Sequence, residues 1–366
     1  MAPFRVAIAC GGTGGHLFPG IAVAAELHSR GNLVTLIVSE KEVDQLALRG
    51  ENRFEILKLP AIGLGRQNRL AFLQGVWRSY RVCRRAFAAM RPQAVLAMGG
   101  FTSVAPVLAG RSIGSTLFLH DSNAIPGRAN RWLSLLVKEA FIGFFEASSR
   151  LRSANVSVTG TPVRAELVRP LSPAPSRVAL GLDPLRPVLL VVGGSQGAQG
   201  VNDALLSALP TLLREAPEVQ YLHLTGSTDL ARVEEGYRAL QIAAVVRPFL
   251  SEMELGLGAS SLAISRAGAS SLAEFAAVRL PAILIPYPTA ADDHQTANAR
   301  AVAATGAAVW MSQKQALDGE LAGCVIALLR NSARLEQMSK ALVVWHVADA
   351  ARRIADRICR PEPAVL

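Results

Sequence analysis

The sequence predicts an α/β protein built of two doubly wound, Rossmann-like domains facing each other across a cleft, and three observations carry that prediction. Short apolar runs rich in Val, Ile, Leu and Ala alternate with helix-forming stretches, as strands buried on both faces of a parallel sheet require. Each half opens on such a run, residues 5–10 and 188–192, passing into a glycine turn: Gly11-Gly12-Thr13-Gly14-Gly15-His16 in the first, Gly193-Gly194-Ser195-Gln196-Gly197-Ala198 in the second. Between the halves, residues 170–187 hold five of the chain's 20 prolines, a composition that disfavours sheet and suits a linker. At 366 residues there is material for two cores.

In order, strands are expected near residues 5–10, 34–38, 54–59, 94–98, 116–120 and 139–142, each followed by a turn and a candidate helix. The boundaries read as 1–164 for the first domain, 165–187 for the linker and 188–340 for the second domain, with a helix in 341–366 packing back on the first. The first glycine turn allows close approach of a ligand's phosphate. It fails the dinucleotide fingerprint, because Leu17 stands where the third glycine should be. Further polar turns, Gly99-Gly100-Phe101-Thr102-Ser103 and His120-Asp121-Ser122-Asn123, follow the fourth and fifth strands.

No run approaches the length of a membrane span, and the N-terminus passes directly into glycines with no basic leader. Cys10, Cys83, Cys324 and Cys359 are scattered without paired spacing, which fits a reduced protein and argues against a disulfide framework or metal site. The net charge of +10 is uneven: residues 56–120 contain no Asp or Glu but nine cations, Lys58, Arg66, Arg69, Arg78, Arg81, Arg84, Arg85, Arg91 and Arg111. A polyanionic partner follows, either nucleic acid or an anionic bilayer. Leu70, Leu73, Val76, Trp77, Tyr80, Cys83, Phe87 and Met90 recur at helical spacing between the arginines. Much of that stripe is an ordinary core face, but Leu64, Leu70, Phe72 and Trp77 beside arginine are what a protein lying on a membrane needs.

Residues 264–298 are densest in binding chemistry. An apolar run ends in Ser265-Arg266-Ala267-Gly268 and opens a helix whose free amides and positive dipole end suit an anion. Glu274, about one turn further, can accept two ribose hydroxyls; the plainer reading is a carboxylate favoured by the dipole alone. A second apolar run then leads to His294, Gln295 and Asn298 at the same predicted sheet edge, where open α/β sheets bind ligands. A nucleotide-sugar pocket is expected.

These motifs together, with Pro162-Val163-Arg164, resemble the MurG family of bacterial glycosyltransferases in order and spacing along essentially the whole chain. The resemblance implies a GT-B fold and transfer of N-acetylglucosamine from its UDP donor to the C4 hydroxyl of the N-acetylmuramoyl residue of an undecaprenyl-pyrophosphoryl pentapeptide, lipid I becoming lipid II, on the cytoplasmic face of the inner membrane. It further implies that Thr13, Gly14 and Gly15 border the donor sugar and diphosphate, Asn123 faces the sugar, Arg164 and Ser195 meet the diphosphate, and Leu250 meets uracil through its backbone. Ala269, Ser270, Ser271, Leu272, Ala273 and Glu274 line the nucleotide, while His294 and Gln295 contact N-acetylglucosamine. The family more often shows His-Glu-Gln-Asn where this chain has His120-Asp121-Ser122-Asn123.

Inversion at the sugar requires a base for the acceptor hydroxyl and a positive setting for departing UDP. His16, at the mouth of the glycine turn, is the preferred base; a ring that merely fixes the loop is the alternative. No Asp-x-Asp occurs, so no metal or other cofactor is expected. A UDP-sugar epimerase of the same fold would not need the acid-free basic face. A nicotinamide oxidoreductase is favoured only by Glu40, and a nucleic-acid binder leaves the glycine turns unexplained. Partners are thus UDP-N-acetylglucosamine, lipid I and an anionic membrane surface, with no nucleic acid.

Overall fold

The computed structural model describes residues 3–360 apart from 42–43, 46–47, 49–50, 61–68, 170–171 and 195–196, and leaves the side chains of 69–71 undescribed. Contacts divide the chain into two units, Met1–Arg164 with Val347–Leu366, and Ala165–His346.

In the first unit β1 (Arg5–Ala9), β2 (Leu33–Ser39), β3 (Glu55–Leu59), β4 (Ala94–Ala97), β5 (Thr116–Asp121), β6 (Glu139–Ile142) and β7 (Val156–Val158) form one sheet in the order β3-β2-β1-β4-β5-β6-β7. Every pairing is parallel. The second unit orders β8 (Val188–Val192), β9 (Gln220–Leu224), β10 (Ala244–Arg247), β11 (Leu262–Ser265), β12 (Ala282–Leu284) and β13 (Ala308–Trp310) as β10-β9-β8-β11-β12-β13, again all parallel. Strand order reverses between β1 and β4 and between β8 and β11. Those two places leave a crevice at the strands' carboxyl ends that no crossover covers.

Both faces of each sheet are covered, which is why central strands such as β4 and β8 are buried at every position. On one face of the first sheet lie the helices Gly14–Ser29 and Ala350–Ile358, contributing Leu17, Leu27, Ile354 and Ile358. The other face takes the helices Arg69–Met90, Val104–Arg111 and Arg128–Leu133 through Cys83, Phe87, Ala105, Ala109 and Leu133. The close helix packing that a third fingerprint glycine provides elsewhere comes here from Gly20. A Cβ there would sit 2.5 Å from Cys10 Cβ and 3.3 Å from Met98 Cγ.

Two boundary expectations need correction. The stretch 165–187 is not a bare linker: it holds the helices Ala165–Val168 and Pro173–Ala179 and belongs to the second unit. Pro173 occupies the first turn, where a missing N–H costs nothing, and Arg177 donates to Ala259 O at 2.8 Å and to Ser261 Oγ at 3.1 Å. The chain also returns to the first unit at Val347 rather than at 341, because residues 342–345 form a separate 3-10 turn that packs on the helix Ala269–Val278.

Two histidines are buried in these cores as neutral rings. His120 on β5 meets Gly160 O at 3.1 Å; burial, with a smaller push from His16, brings its pKa down to about 4 against the Gly160 hydrogen bond. His223 on β9 lies between Tyr237 Oη, 3.2 Å away, and Asn202 Oδ1, 3.0 Å away, and burial takes its pKa to about 3. An unfolded histidine takes its proton near pH 6.5, well before the folded one does, so each ring makes stability fall as the pH drops below about 6.5. Between pH 7 and pH 5 the loss is about 2 kcal/mol per histidine. Urea unfolding at the two pH values should therefore show His223→Gln losing less stability over this interval than the parent; an equal loss would mean that His223 is not held neutral.

Candidate functional site

The glycine turn after β1 is fastened from outside itself. Cys10 N–H and Gly11 N–H both donate to Ile37 O, at 3.0 and 3.2 Å, and a Cβ on Gly11 would lie 2.4 Å from Ser39 N. Thr102 Oγ1 donates to Gly11 O at 2.7 Å. Gly12, at φ +109°, gives its N–H to Asp44 Oδ2 at 2.8 Å and takes Lys41 Nζ on its carbonyl at 3.1 Å. The helix then starts at Gly14 behind an extended Thr13 whose side chain does not cap it, so its first amides face outward from the sheet edge. Thr13 Oγ1 and His16 Nδ1 are 3.2 Å apart. The ring of His16 lies against the turn after β4: a Cβ on Gly99 would be 2.9 Å from His16 Nε2 and 3.1 Å from Asn130 Nδ2.

The loop after β5 is organised by one buried acid. Asp121 is almost fully buried, and its carboxylate accepts from Asn123 N–H (2.9 Å), Gly127 N–H (3.1 Å) and Asn130 Nδ2 (2.7 Å). Burial pushes this carboxyl up while those bonds oppose the rise. This acid thus folds the loop over itself and holds Asn123 half-buried at the sheet edge. Arg164, at the end of the unit, places its guanidinium carbon 4.7 Å from the ring centroid of Phe18, on the helix that the glycine turn begins. Thr13, Gly14, Gly15, His16 and Arg164 thereby share one end of the first sheet.

In the second unit the turn after β8 is equally tight. A Cβ on Gly193 would meet Ala198 N at 2.4 Å, and one on Gly197, at φ +74°, would meet Thr225 O at 2.3 Å. Ser195 and Gln196 lie outside the described residues. At the neighbouring switch strand, Gly268 starts the helix Ala269–Val278 without a side-chain cap, leaving the amides of Ala269, Ser270 and Ser271 at the carboxyl edge. Glu274 is the sixth residue of that helix, beyond its first turn, and is 9% exposed. A surface carboxylate held only by the dipole would be neither so deep nor so far along. Leu272 is buried, with Ala273 partly so, and Leu250 is buried in the loop that follows β10.

Arg266 is a buried cation held by neutral acceptors: Ile285 O at 3.1 Å, Pro286 O at 3.0 Å and Gln313 Oε1 at 2.7 Å. Its guanidinium carbon also sits 5.3 Å from the Tyr287 ring centroid, and burial pulls its pKa below the usual arginine value. Gln313 in turn lies against Gly200, at the start of the helix that follows the β8 turn, so it ties the two switch-point turns together. Asn298, fully buried, donates to Ala267 O at 3.1 Å. His294 heads its helix with Nδ1 2.8 Å from Ala291 O, and Gln295 Oε1 accepts Tyr287 N–H at 3.0 Å. Asp292 and Asp293 ahead of them adopt φ of 52° and 53°, a costly region for non-glycine residues that re-aims the chain into that helix.

The acid-poor segment divides by depth. Cys83 and Phe87 are core, whereas Leu73 and Trp77 are 61% and 59% exposed; Phe72 packs edge-on against Phe101. Arg78, Arg81 and Arg85 are exposed and Arg84 partly so. Leu64 and Arg66 lie outside the described residues, as do the side chains of Arg69 and Leu70. The helix Arg128–Leu133, in the same layer, adds Trp132, which is 74% exposed. Across residues 56–138 the one acid is Asp121, which is buried.

Models of the glycosyltransferase family 28 N-terminal and C-terminal domains match residues 6–142 and 188–358. Along nearly its full length the chain is similar to proteins named UDP-N-acetylglucosamine–N-acetylmuramyl-(pentapeptide) pyrophosphoryl-undecaprenol N-acetylglucosamine transferase. The one from Geobacter sp. (strain M21) is 36% identical over 96% of this chain and 94% of the relative; the one from Methylococcus capsulatus is 38% identical over 98% of each. The chain belongs to this transferase family. Among solved structures, Acinetobacter baumannii MurG matches this family member with a TM-score of 0.73 and 27% identity, over 97% of this chain and 99% of that one. A UDP-N-acetylglucosamine 2-epimerase from Listeria monocytogenes matches with a TM-score of 0.71 at 16% identity, covering 98% of this chain and 96% of that one, which shows a shared fold. The transferase thus has two doubly wound domains of the GT-B type. Its sequence pointed to the turns themselves, Thr102 included, but not to the more distant residues that hold them, Asp44, Lys41, Asn130 and Gln313, since single polar residues in helices and loops carry no periodic signal.

Proposed function

We infer that the protein is an inverting glycosyltransferase that moves N-acetylglucosamine from UDP-N-acetylglucosamine to the C4 hydroxyl of the N-acetylmuramoyl residue of lipid I, forming lipid II. The observation that carries this reading is the deep placement of Glu274 beside an uncapped helix start, in a chain whose full-length relatives are named for this transfer. The epimerase reading draws only on the common fold. It leaves the basic layer with its exposed tryptophans unexplained.

In this reading the second unit holds the donor. The amides at the start of the helix Ala269–Val278 and those of the β8 turn, with Ser195, take the diphosphate, aided by the positive ends of their helices. Glu274 accepts the ribose hydroxyls, Leu250 meets uracil through its backbone, and His294 and Gln295 meet the sugar. Buried Arg266, held among the described residues by neutral acceptors, adds a positive charge that favours departing UDP. From the first unit, Thr13, Gly14, Gly15, Asn123 and Arg164 border the reacting sugar and diphosphate. His16, whose Nδ1 lies 3.2 Å from Thr13 Oγ1, is the base that takes the acceptor hydroxyl proton. The helical layer carrying Leu73, Trp77, Trp132 and the arginines lies on the anionic cytoplasmic leaflet, where no described helix is long and apolar enough to cross.

Three outcomes test these statements. Label from UDP-N-acetylglucosamine should pass to lipid I, and excess EDTA should not stop it, because helix ends and guanidinium groups do the work of a metal; label released without lipid I as an epimerised sugar nucleotide would overturn the assignment. Glu274→Ala should weaken UDP binding by about 1.5 to 3 kcal/mol in calorimetry, the worth of hydrogen bonds to an ionised acceptor. Replacing Arg78, Arg81, Arg84 and Arg85 together with glutamine should reduce binding to anionic vesicles, since each arginine near such a surface contributes about 1 kcal/mol. The same variant should keep turnover on a short-chain soluble acceptor; undiminished vesicle binding would return these arginines to an ordinary solvated face.

A further inference from the structure

We propose that Asp44 and Lys41 clamp the peptide groups flanking Gly12 and so position His16 for the acceptor, a role that rests on His16 being the base. The Gly11-Gly12 pair has no side chains with which to pack, so its location depends on what its backbone groups bind. All four are held by residues outside the turn: Gly11 N–H by Ile37 O, Gly11 O by Thr102, Gly12 N–H by Asp44 and Gly12 O by Lys41. The first two partners are neutral, Ile37 on β2 and Thr102 in the 3-10 turn that follows β4. The last two carry opposite charges and come from one segment, the stretch that follows β2. Charge-assisted bonds of this kind are about twice as strong as neutral ones.

The burial of Asp44 argues for a purpose beyond filling space. Its side chain is inaccessible, and Oδ2 gathers Gly12 N–H, Ser39 N–H at 2.9 Å and Ser39 Oγ at 2.6 Å. Oδ1 has no hydrogen-bond partner among the described residues. A buried carboxylate with one idle oxygen costs stability, and what that cost secures is the direction in which the turn leaves Gly12. Gly12 leads into Thr13, whose extended backbone starts the helix, and His16 follows within the first turn with Nδ1 against Thr13. The ring is wedged against Gly99 and Gly100, so a slip of the turn cannot be absorbed on that side. Asp44 and Lys41 are therefore positioning residues that act through the backbone of the turn.

The test uses the full chain in membrane-free assays with a soluble acceptor, comparing His16→Ala, Lys41→Met, Asp44→Asn, Asp44→Ala and the double variant His16→Ala with Lys41→Met. Lys41→Met should lower kcat about tenfold while UDP affinity by calorimetry stays within twofold. Asp44→Asn, which keeps an acceptor but loses the charge, should fall between the parent and Asp44→Ala. The double variant should be no slower than His16→Ala alone, because the clamp acts through a ring that is no longer there. Parent-like kcat in Lys41→Met, losses that multiply in the double variant, or UDP affinity that falls in step with kcat would each overturn the clamp. If His16→Ala keeps full kcat, the base reading falls and the clamp with it; a slow His16→Ala beside a fast Lys41→Met removes the clamp alone. Lys41 is solvent-exposed, so its variant keeps the question answerable should Asp44→Ala fail to fold.

Discussion

In both sheets the strand that leads into a double-glycine turn stands beside the reversal of strand order, β1 next to β4 and β8 next to β11. The chemistry depends on this arrangement. Elsewhere along a parallel sheet the crossover helices cover the carboxyl ends, but at a reversal the two helices leave in opposite directions and expose the turn between them. Glycine is required in these turns for contact reasons as well as conformational ones. Atoms of Ser39, Ala198 and Thr225 stand where a Cβ at Gly11, Gly193 or Gly197 would be. The backbone can then reach the sheet edge closely enough to offer its amides to a ligand.

Charge is used differently in the two units. In the second, buried Arg266 is held by carbonyl and amide oxygens, so no acid among its described hydrogen-bond partners cancels its field, which adds to the helix N-termini beside it. In the first, buried charge is spent on structure: Asp121 folds its own loop and Asp44 fastens the glycine turn. The histidines behind these loops, His120 and His223, are kept neutral by burial, which leaves each ring with one donor and one acceptor to order the groups around it.

The helical layer over the second face of the first sheet shows one sequence stripe serving two ends. The helix Arg69–Met90 buries Cys83 and Phe87 against the sheet while Leu73 and Trp77 stay outside. With no exposed acid across residues 56–138, the arginines there have no carboxylate of their own segment to neutralise them, and their field extends into solvent within a Debye length.

The parallel sheets, the two α/β halves and the glycine turns were legible in the sequence because each has a local signal: apolar runs of strand length, and paired glycines directly after the first run of each half. So was the family, through the order and spacing of those turns and the polar motifs between them. What the tertiary structure decided is everything that depends on residues distant in the chain. It made residues 165–187 part of the second unit, through Arg177 reaching Ala259 and Ser261, and supplied from Gly20 the close packing that the fingerprint position lacks. It also separated Cys83 from Trp77 on one helix and brought Asp44 to Gly12 across 32 positions. Periodicity shows that a helix has an apolar side; only the packed sheet beneath determines how far along the helix that side is covered.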